Sequence, residues 1–95
     1  MTDRFDPDDP VVVPIGPELD LHSFQPREIG SVVEEFIHGA AAAGLTRVRI
    51  VHGRGRGIQR GIVLATLERH PLVRMFWDDP GSQLGATIGE LHLPK

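Results

Sequence analysis

Apolar residues recur with the period of a helix in two stretches of the chain and with the period of a strand in four. Between residues 26 and 43, Ile29, Val32, Val33, Phe36, Ile37, Ala40 and Ala41 fall three and four apart. That spacing puts one apolar stripe on an α-helix. Pro26 suits a first helical position, Glu28 the first turn and Gly44 the residue beyond the C-cap. Gly30 and Gly39 weaken this helix, and His38 falls among its polar positions. A second helix is predicted over residues 58–69, carrying Ile58, Ile62, Val63, Leu64, Ala65 and Leu67, and Pro71 stops it. Residues 18–22 (ELDLH) alternate, with Leu19 and Leu21 on one face and Asp20 and His22 on the other. Strands are also predicted over 46–51, 72–77 and 86–93, with a turn over 78–83. A short leading edge strand at Val11-Val12-Val13 is broken by Pro14 and Pro17.

The order is therefore βαβαββ, an α/β class. The first strand, helix and second strand form a right-handed crossover, so these strands are parallel and near each other. The fourth strand is expected antiparallel to the third. Leu19, Leu21, Val48 and Ile50 should face the crossing helix. Asp20, His22, Arg47 and Arg49 should share the opposite face, close to the C-terminal strand ends. Phe76 and Trp77 point to opposite faces, one toward the core and the other outward.

Those strand ends are also where ligands gather in such sheets. Here the second strand runs into His52 and then Gly53, Arg54, Gly55, Arg56 and Gly57, before the helix at Ile58. The glycines permit φ > 0 and a close approach of the backbone to a ligand. The helix aims free N–H groups and its positive dipole end at the loop. Arg54, Arg56 and Arg60 add planar cations that match phosphate oxygens. The pattern describes an anion site, phosphate above all. The alternative is a tight strand-to-helix turn with solvated arginines.

The length of 95 residues and apolar content of 40% fit one small domain. The net charge of −3 comes from residues 1–10, an acidic tail in which Asp3, Asp6, Asp8 and Asp9 outweigh Arg4. Residues 11–95, the expected domain, are balanced, and from Phe36 to Leu67 arginines occur without any acidic residue. A basic patch of this kind, with Arg47 and Arg49, favours an anionic polymer. The absence of cysteine excludes disulfides and thiolate metal sites and fits a reducing, cytoplasmic setting. The first residues lack the apolar core of a secretory signal, and no apolar run approaches membrane-spanning length. The expectation is a monomer without a membrane partner.

Other site classes fail on their patterns. His22, His38, His52, His70 and His92 lack metal-ligand spacing, and the glycines make neither G-x-G-x-x-G nor a P-loop. A Ser23/His52/Asp20 triad can be drawn, but no nucleophile elbow surrounds Ser23. With no Tyr, one Trp and four Phe, recognition by base stacking has little support, and backbone contacts suit the arginines better.

The LDLH of 19–22, the VHGRG of 51–55 and the GATIGEL of 85–91 together resemble the small MutS-related (Smr) domain. The likeness covers about residues 11–93, and the chain looks like a short stand-alone member. Two positions depart from the family: Ser23 stands where Gly is usual, and Gly89 where a β-branched residue is common. The resemblance implies a two-layer α/β sandwich with a mixed four-stranded sheet and both helices on one face. It is similar to the C-terminal domain of the bacterial initiation factor that binds the small ribosomal subunit. It also implies binding to DNA or RNA and, in several members, nicking endonuclease activity. Asp20 and His22 would then belong to the cleavage site, and His52, Gly53 and Gly55 to the substrate-binding loop.

Phosphodiester cleavage needs a base, an acid and cations for the developing charge. Asp20 and His22 can share the proton transfers, with Arg49, Arg54 or Arg56 stabilising charge. The carboxylates at hand (Asp20, with Glu18 or Glu90) are few for a two-metal site, which leaves a single Mg²⁺ or no metal. RNA supplies its own 2′-hydroxyl nucleophile, so a metal-free pair suits RNA better than DNA. The alternatives are a fixed Asp–His hydrogen bond at a strand end, and a non-catalytic module that binds nucleic acid, the ribosome or a protein.

Overall fold

The computed structural model describes residues 16–55 and 57–92. The acidic tail, the Val11–Val13 triplet and Arg56 lie outside them. The elements are β1 (Glu18–Asp20), α1 (Pro26–Ala42), β2 (Arg47–Val51), α2 (Ile58–Arg69), β3 (Val73–Asp78), a 3₁₀ turn (Pro80–Ser82) and β4 (Ala86–Leu91). They form one four-stranded mixed sheet in the order β1-β2-β4-β3. The β1–β2 pair is parallel, and β4 runs antiparallel to both neighbours. The last strand thus enters the middle of the sheet, between β2 and β3.

Both helices cover one face. Leu19, Val48, Ile50 and Leu91 from the sheet meet Ile29, Val32, Val33, Phe36 and Ile37 of α1 and Val63 and Leu67 of α2, all buried. Each such side chain contributes about 1.5–3 kcal/mol relative to exposure. Phe76 packs against this core, while Trp77 lies on the opposite, open face under the Arg47 guanidinium, 5.3 Å from the ring centroid. Gly89 pairs with both Val48 and Phe76, and a Cβ there would sit 3.5 Å from a Val48 methyl. The position is therefore a packed point in β4 rather than a loose one.

The helix ends follow local chemistry. Glu28 accepts the backbone N–H of Gln25 (2.8 Å), closing the start of α1. At its other end Gly44 takes φ 85°. The Gly44 N–H bonds the Ala41 carbonyl and the Leu45 N–H the Ala40 carbonyl, both at 3.0 Å, a Schellman arrangement. Ile58, expected with the apolar set of the second helix, is 59% exposed at the start of α2.

His70 caps the C-terminus of α2. Its Nδ1 accepts the Leu72 N–H (3.1 Å), and its Nε2 is buried without a hydrogen-bond partner among the described residues. Burial pushes its pKa down; the neighbouring His38 ring, 5.0 Å away, pushes the same way, and Glu34 opposes. The unfolded chain therefore takes up this proton near the ordinary value of about 6.5, and the folded chain only at lower pH. Stability should fall as pH drops below about 6.5. His70→Asn keeps an acceptor for Leu72 without titrating. Its melting temperature should drop less than that of the wild type between about pH 7.5 and pH 5. Equal drops would contradict the assignment.

Candidate nucleic-acid interface

The glycine loop leaves β2 at Val51 and enters α2 at Ile58. Gly53, Gly55 and Gly57 all adopt positive φ (80°, 24° and 83°), as their spacing predicts. A side chain at any of them would be strained by backbone conformation alone. The loop walls a cleft of about 340 Å³ lined by Pro26, His52, Gly53, Arg54, Gly55, Gly57, Ile58 and Gln59. Pro26 opens α1 and Ile58 opens α2, so the first turns of both helices border it.

His52 is buried and holds this loop to the sheet. Its Nδ1 lies 3.0 Å from the Gly53 carbonyl, and its Nε2 lies 2.9 Å from the Thr87 hydroxyl of β4. A carbonyl only accepts, so Nδ1 carries the proton and Nε2 accepts from Thr87. The backbone makes a second tie. The Gly85 carbonyl accepts the N–H groups of His52 (3.0 Å) and Gly53 (2.9 Å) together. The stem of Arg54 lies over Gly85, where a Cβ would come within 3.3 Å of its Cγ. The Arg54 head is exposed and makes no ion pair among the described residues.

Four other arginines are engaged with carboxylates. Arg60 forks onto Asp78 (2.9 and 2.7 Å). Arg49 bonds Asp79 (2.7 Å) and Glu18 (2.5 Å) on the open face of the sheet. Arg47 and Arg74 share Glu90 there. The arginines hold the Asp78, Asp79 and Glu90 carboxyls below the usual range. The basic stretch read along the chain is thus partly neutralised by carboxylates that folding brings from β1, β3, β4 and the turn after β3. It also divides in two: Arg54 belongs to the cleft, while Arg47 and Arg49 belong to the open face.

Asp20 and His22 stand outside the cleft lining, at the end of β1. The Leu21 N–H bonds the Val51 carbonyl (2.9 Å), so this end adjoins the start of the glycine loop. Pairing stops at Asp20, and its Oδ1 accepts both the backbone N–H and the Nδ1–H of His22, each at 3.0 Å. The backbone bond to His22, then the bond from its ring, lowers the Asp20 pKa. This geometry leaves His22 Nε2 as the free acceptor, with only the Ser23 hydroxyl near it (3.4 Å). Both side chains are largely exposed, Asp20 at 56% and His22 at 80%. Among the described residues no three His, Asp or Glu are grouped to hold a metal ion, and no helix is long and apolar enough to cross a membrane.

Sequence reasoning missed Thr87, Ser82, Gly85 and the Asp78–Asp79 pair. Only the turn expected over 78–83 and the GAT run, read through the family likeness, touched this region. Thr87→Val would leave the His52 Nε2 buried and unpaired, at a cost of about 1–3 kcal/mol. Denaturant unfolding should show that loss with an unchanged m-value, and a Thr87→Ser variant should recover most of it. Full stability of Thr87→Val would contradict the role given to this bond.

Comparison with known proteins bears on the whole arrangement. The Smr domain model matches residues 19–91. The Endonuclease MutS2 of Halalkalibacterium halodurans is 38% identical over 80 residues, which are 82% of this chain and 10% of that protein. The Endonuclease MutS2 of Carboxydothermus hydrogenoformans is 34% identical over 76 residues, 80% of this chain and again 10% of the relative. The chain therefore spans about a tenth of the length of these curated relatives. Among solved structures, the Smr domain of Thermus thermophilus MutS2 superposes with a TM-score of 0.75 at 32% identity, covering 81% of this chain and 99% of that one. YdaL, a stand-alone small MutS-related protein from Escherichia coli, superposes with a TM-score of 0.72 at 30% identity, covering 79% of this chain and 63% of its own. A family match across nearly all the described residues, with the same fold in two solved members, makes this chain a member of the Smr domain family, to which domains of MutS2 endonucleases belong.

Proposed function

We propose that this domain binds the phosphate backbone of DNA or RNA at the glycine loop and nicks the strand with the Asp20–His22 pair. The observation that carries the reading is the loop itself. Three alternating glycines with positive φ, two of them flanking Arg54, open onto the first turns of two helices. Arg54 is the leading phosphate contact, with Arg56 beside it in the chain. His52, Gly53 and Gly55 shape the loop that receives the backbone. Arg60, Arg49 and Arg47 can join only by exchanging Asp78, Asp79, Glu18 or Glu90 for phosphate, so their contributions are secondary.

In this reading His22 is the proton-transfer group and Asp20 its positioning partner. Asp20 fixes the ring with Nδ1 protonated, which turns Nε2 outward as the base. On RNA, Nε2 takes the proton of the 2′-hydroxyl as that oxygen attacks phosphorus. The bond to the 5′-oxygen then breaks, and the leaving oxygen takes a proton from the imidazolium or from water. Loop N–H groups and Arg54 offset the charge that builds on the phosphoryl oxygens. The relatives named Endonuclease MutS2 support nicking. The exposure of both side chains favours a second reading, a non-catalytic binding module.

A cleavage assay on hairpin RNA and supercoiled plasmid, with Mg²⁺ and with EDTA, separates the two. Asp20→Asn and His22→Ala should each slow cleavage by roughly 10²–10⁴-fold while binding is kept. Cleavage at the wild-type rate in both variants would contradict the assignment, and intact substrates throughout would select the binding module. Arg54→Ala should weaken binding at every sequence and reduce the salt slope by about 0.7–0.9. An unchanged slope would remove Arg54 from the interface.

A further inference from the structure

The turn between β3 and β4 is strained in its backbone. Gln83 and Leu84 are consecutive non-glycine residues at φ 55° and 69°, and they are the only ones with positive φ among the described residues. L-residues with side chains avoid this region because Cβ crowds the carbonyl oxygen. Leu84 is also 52% exposed, so burial of its side chain does not account for its placement.

The turn is nevertheless tightly fixed. The Ser82 hydroxyl donates to the Asp79 carbonyl (2.8 Å) and accepts the N–H groups of Gly85 (3.2 Å) and Ala86 (3.0 Å). Asp79 Oδ1 accepts the Gly81 N–H (3.2 Å), and the Asp79 N–H bonds the Ala86 carbonyl (3.0 Å). A turn fixed at both ends while holding two strained residues is the pattern found where conformation serves a site.

What it serves follows from its neighbours. Gly85, next to Leu84, is the residue whose carbonyl ties down His52 and Gly53. The stem of Arg54 lies across it. An exposed leucine and an exposed arginine therefore flank one glycine at the edge of the phosphate-binding loop. A strand whose phosphates engage Arg54 passes Gly85, and the residue beside that glycine in the chain carries an exposed apolar side chain. In a paired duplex the bases are stacked inward, and only an unpaired or opened strand offers its base faces to an aliphatic contact.

We propose that Leu84 is a specificity residue that contacts the bases of an unpaired strand bound at the glycine loop. This deepens the proposed nucleic-acid reading and rests on it. The rigid turn holds Leu84 ready, so the contact needs no reordering on binding.

The test measures the affinity of a labelled single strand and of its blunt duplex at equal salt for wild type, Leu84→Gly, Leu84→Ala, Gln83→Gly and Arg54→Ala. Both glycine variants relieve a positive-φ strain and should melt at or above the wild-type temperature. The preference of the wild type for the single strand should fall about fivefold in Leu84→Gly and Leu84→Ala, about what half the burial of a leucine supplies. Gln83→Gly should keep it. An unchanged preference in both Leu84 variants would overturn the proposal. So would a wild type that binds duplex as tightly as single strand, provided binding still depends on Arg54, and the proposed function would then stand without it. Failure to bind either nucleic acid would remove both readings.

Discussion

The carbonyl oxygen of Gly85 accepts the N–H groups of His52 and Gly53 together, and the placement of the glycine loop depends on that pair of hydrogen bonds. It sits just before β4, the last strand in the sequence, which lies in the middle of the sheet. The tie therefore exists only once β4 is placed between β2 and β3. The His52–Thr87 bond joins the same two strands one step deeper. Between them they turn a glycine-rich segment, intrinsically the most mobile kind of backbone, into a loop of defined shape with Arg54 on its outer side.

Charge is distributed with similar economy. Asp78 engages Arg60, and Glu18, Asp79 and Glu90 engage the arginines of the open sheet face, each pair adding little to stability at these exposures. Their greater effect is on where cationic charge remains available. Arg54 keeps its head in solvent while Arg60, a short way along the chain, is forked onto Asp78. A polyanion approaching this end meets the open Arg54 head beside the committed Arg60. Exchange of Asp78 or Asp79 for phosphate would then be a second, salt-sensitive step.

The elements were legible because each follows a local rule. The apolar stripe of α1, its proline start and its glycine end all reflect interactions within a few residues, and the three loop glycines announced their positive φ directly. The parallel β1–β2 pair followed from crossover handedness. The Asp20–His22 contact was legible only in part. Alternation puts both on one face, but the 3.0 Å bond arises because pairing ends at Asp20 and the chain turns back on it. The neutralising carboxylates were not legible, since Asp78 lies 18 residues from Arg60 and Asp79 lies 30 from Arg49. The strain at Gln83 and Leu84 was hidden for the opposite reason. Neither residue type favours positive φ, and the bonds that hold the turn join residues on both sides of the pair.

The proposed nucleic-acid interface lies at the glycine loop rather than on the open sheet face, where Arg47 covers Trp77. An amide-resolved NMR titration with a short oligonucleotide addresses this most directly. Shifts concentrated at Gly53, Arg54, Gly55, Gly57 and Leu84, with the Trp77 indole N–H unmoved, are the predicted result. Shifts at Trp77, Ile88 and Glu90 with the glycine loop unmoved would contradict it.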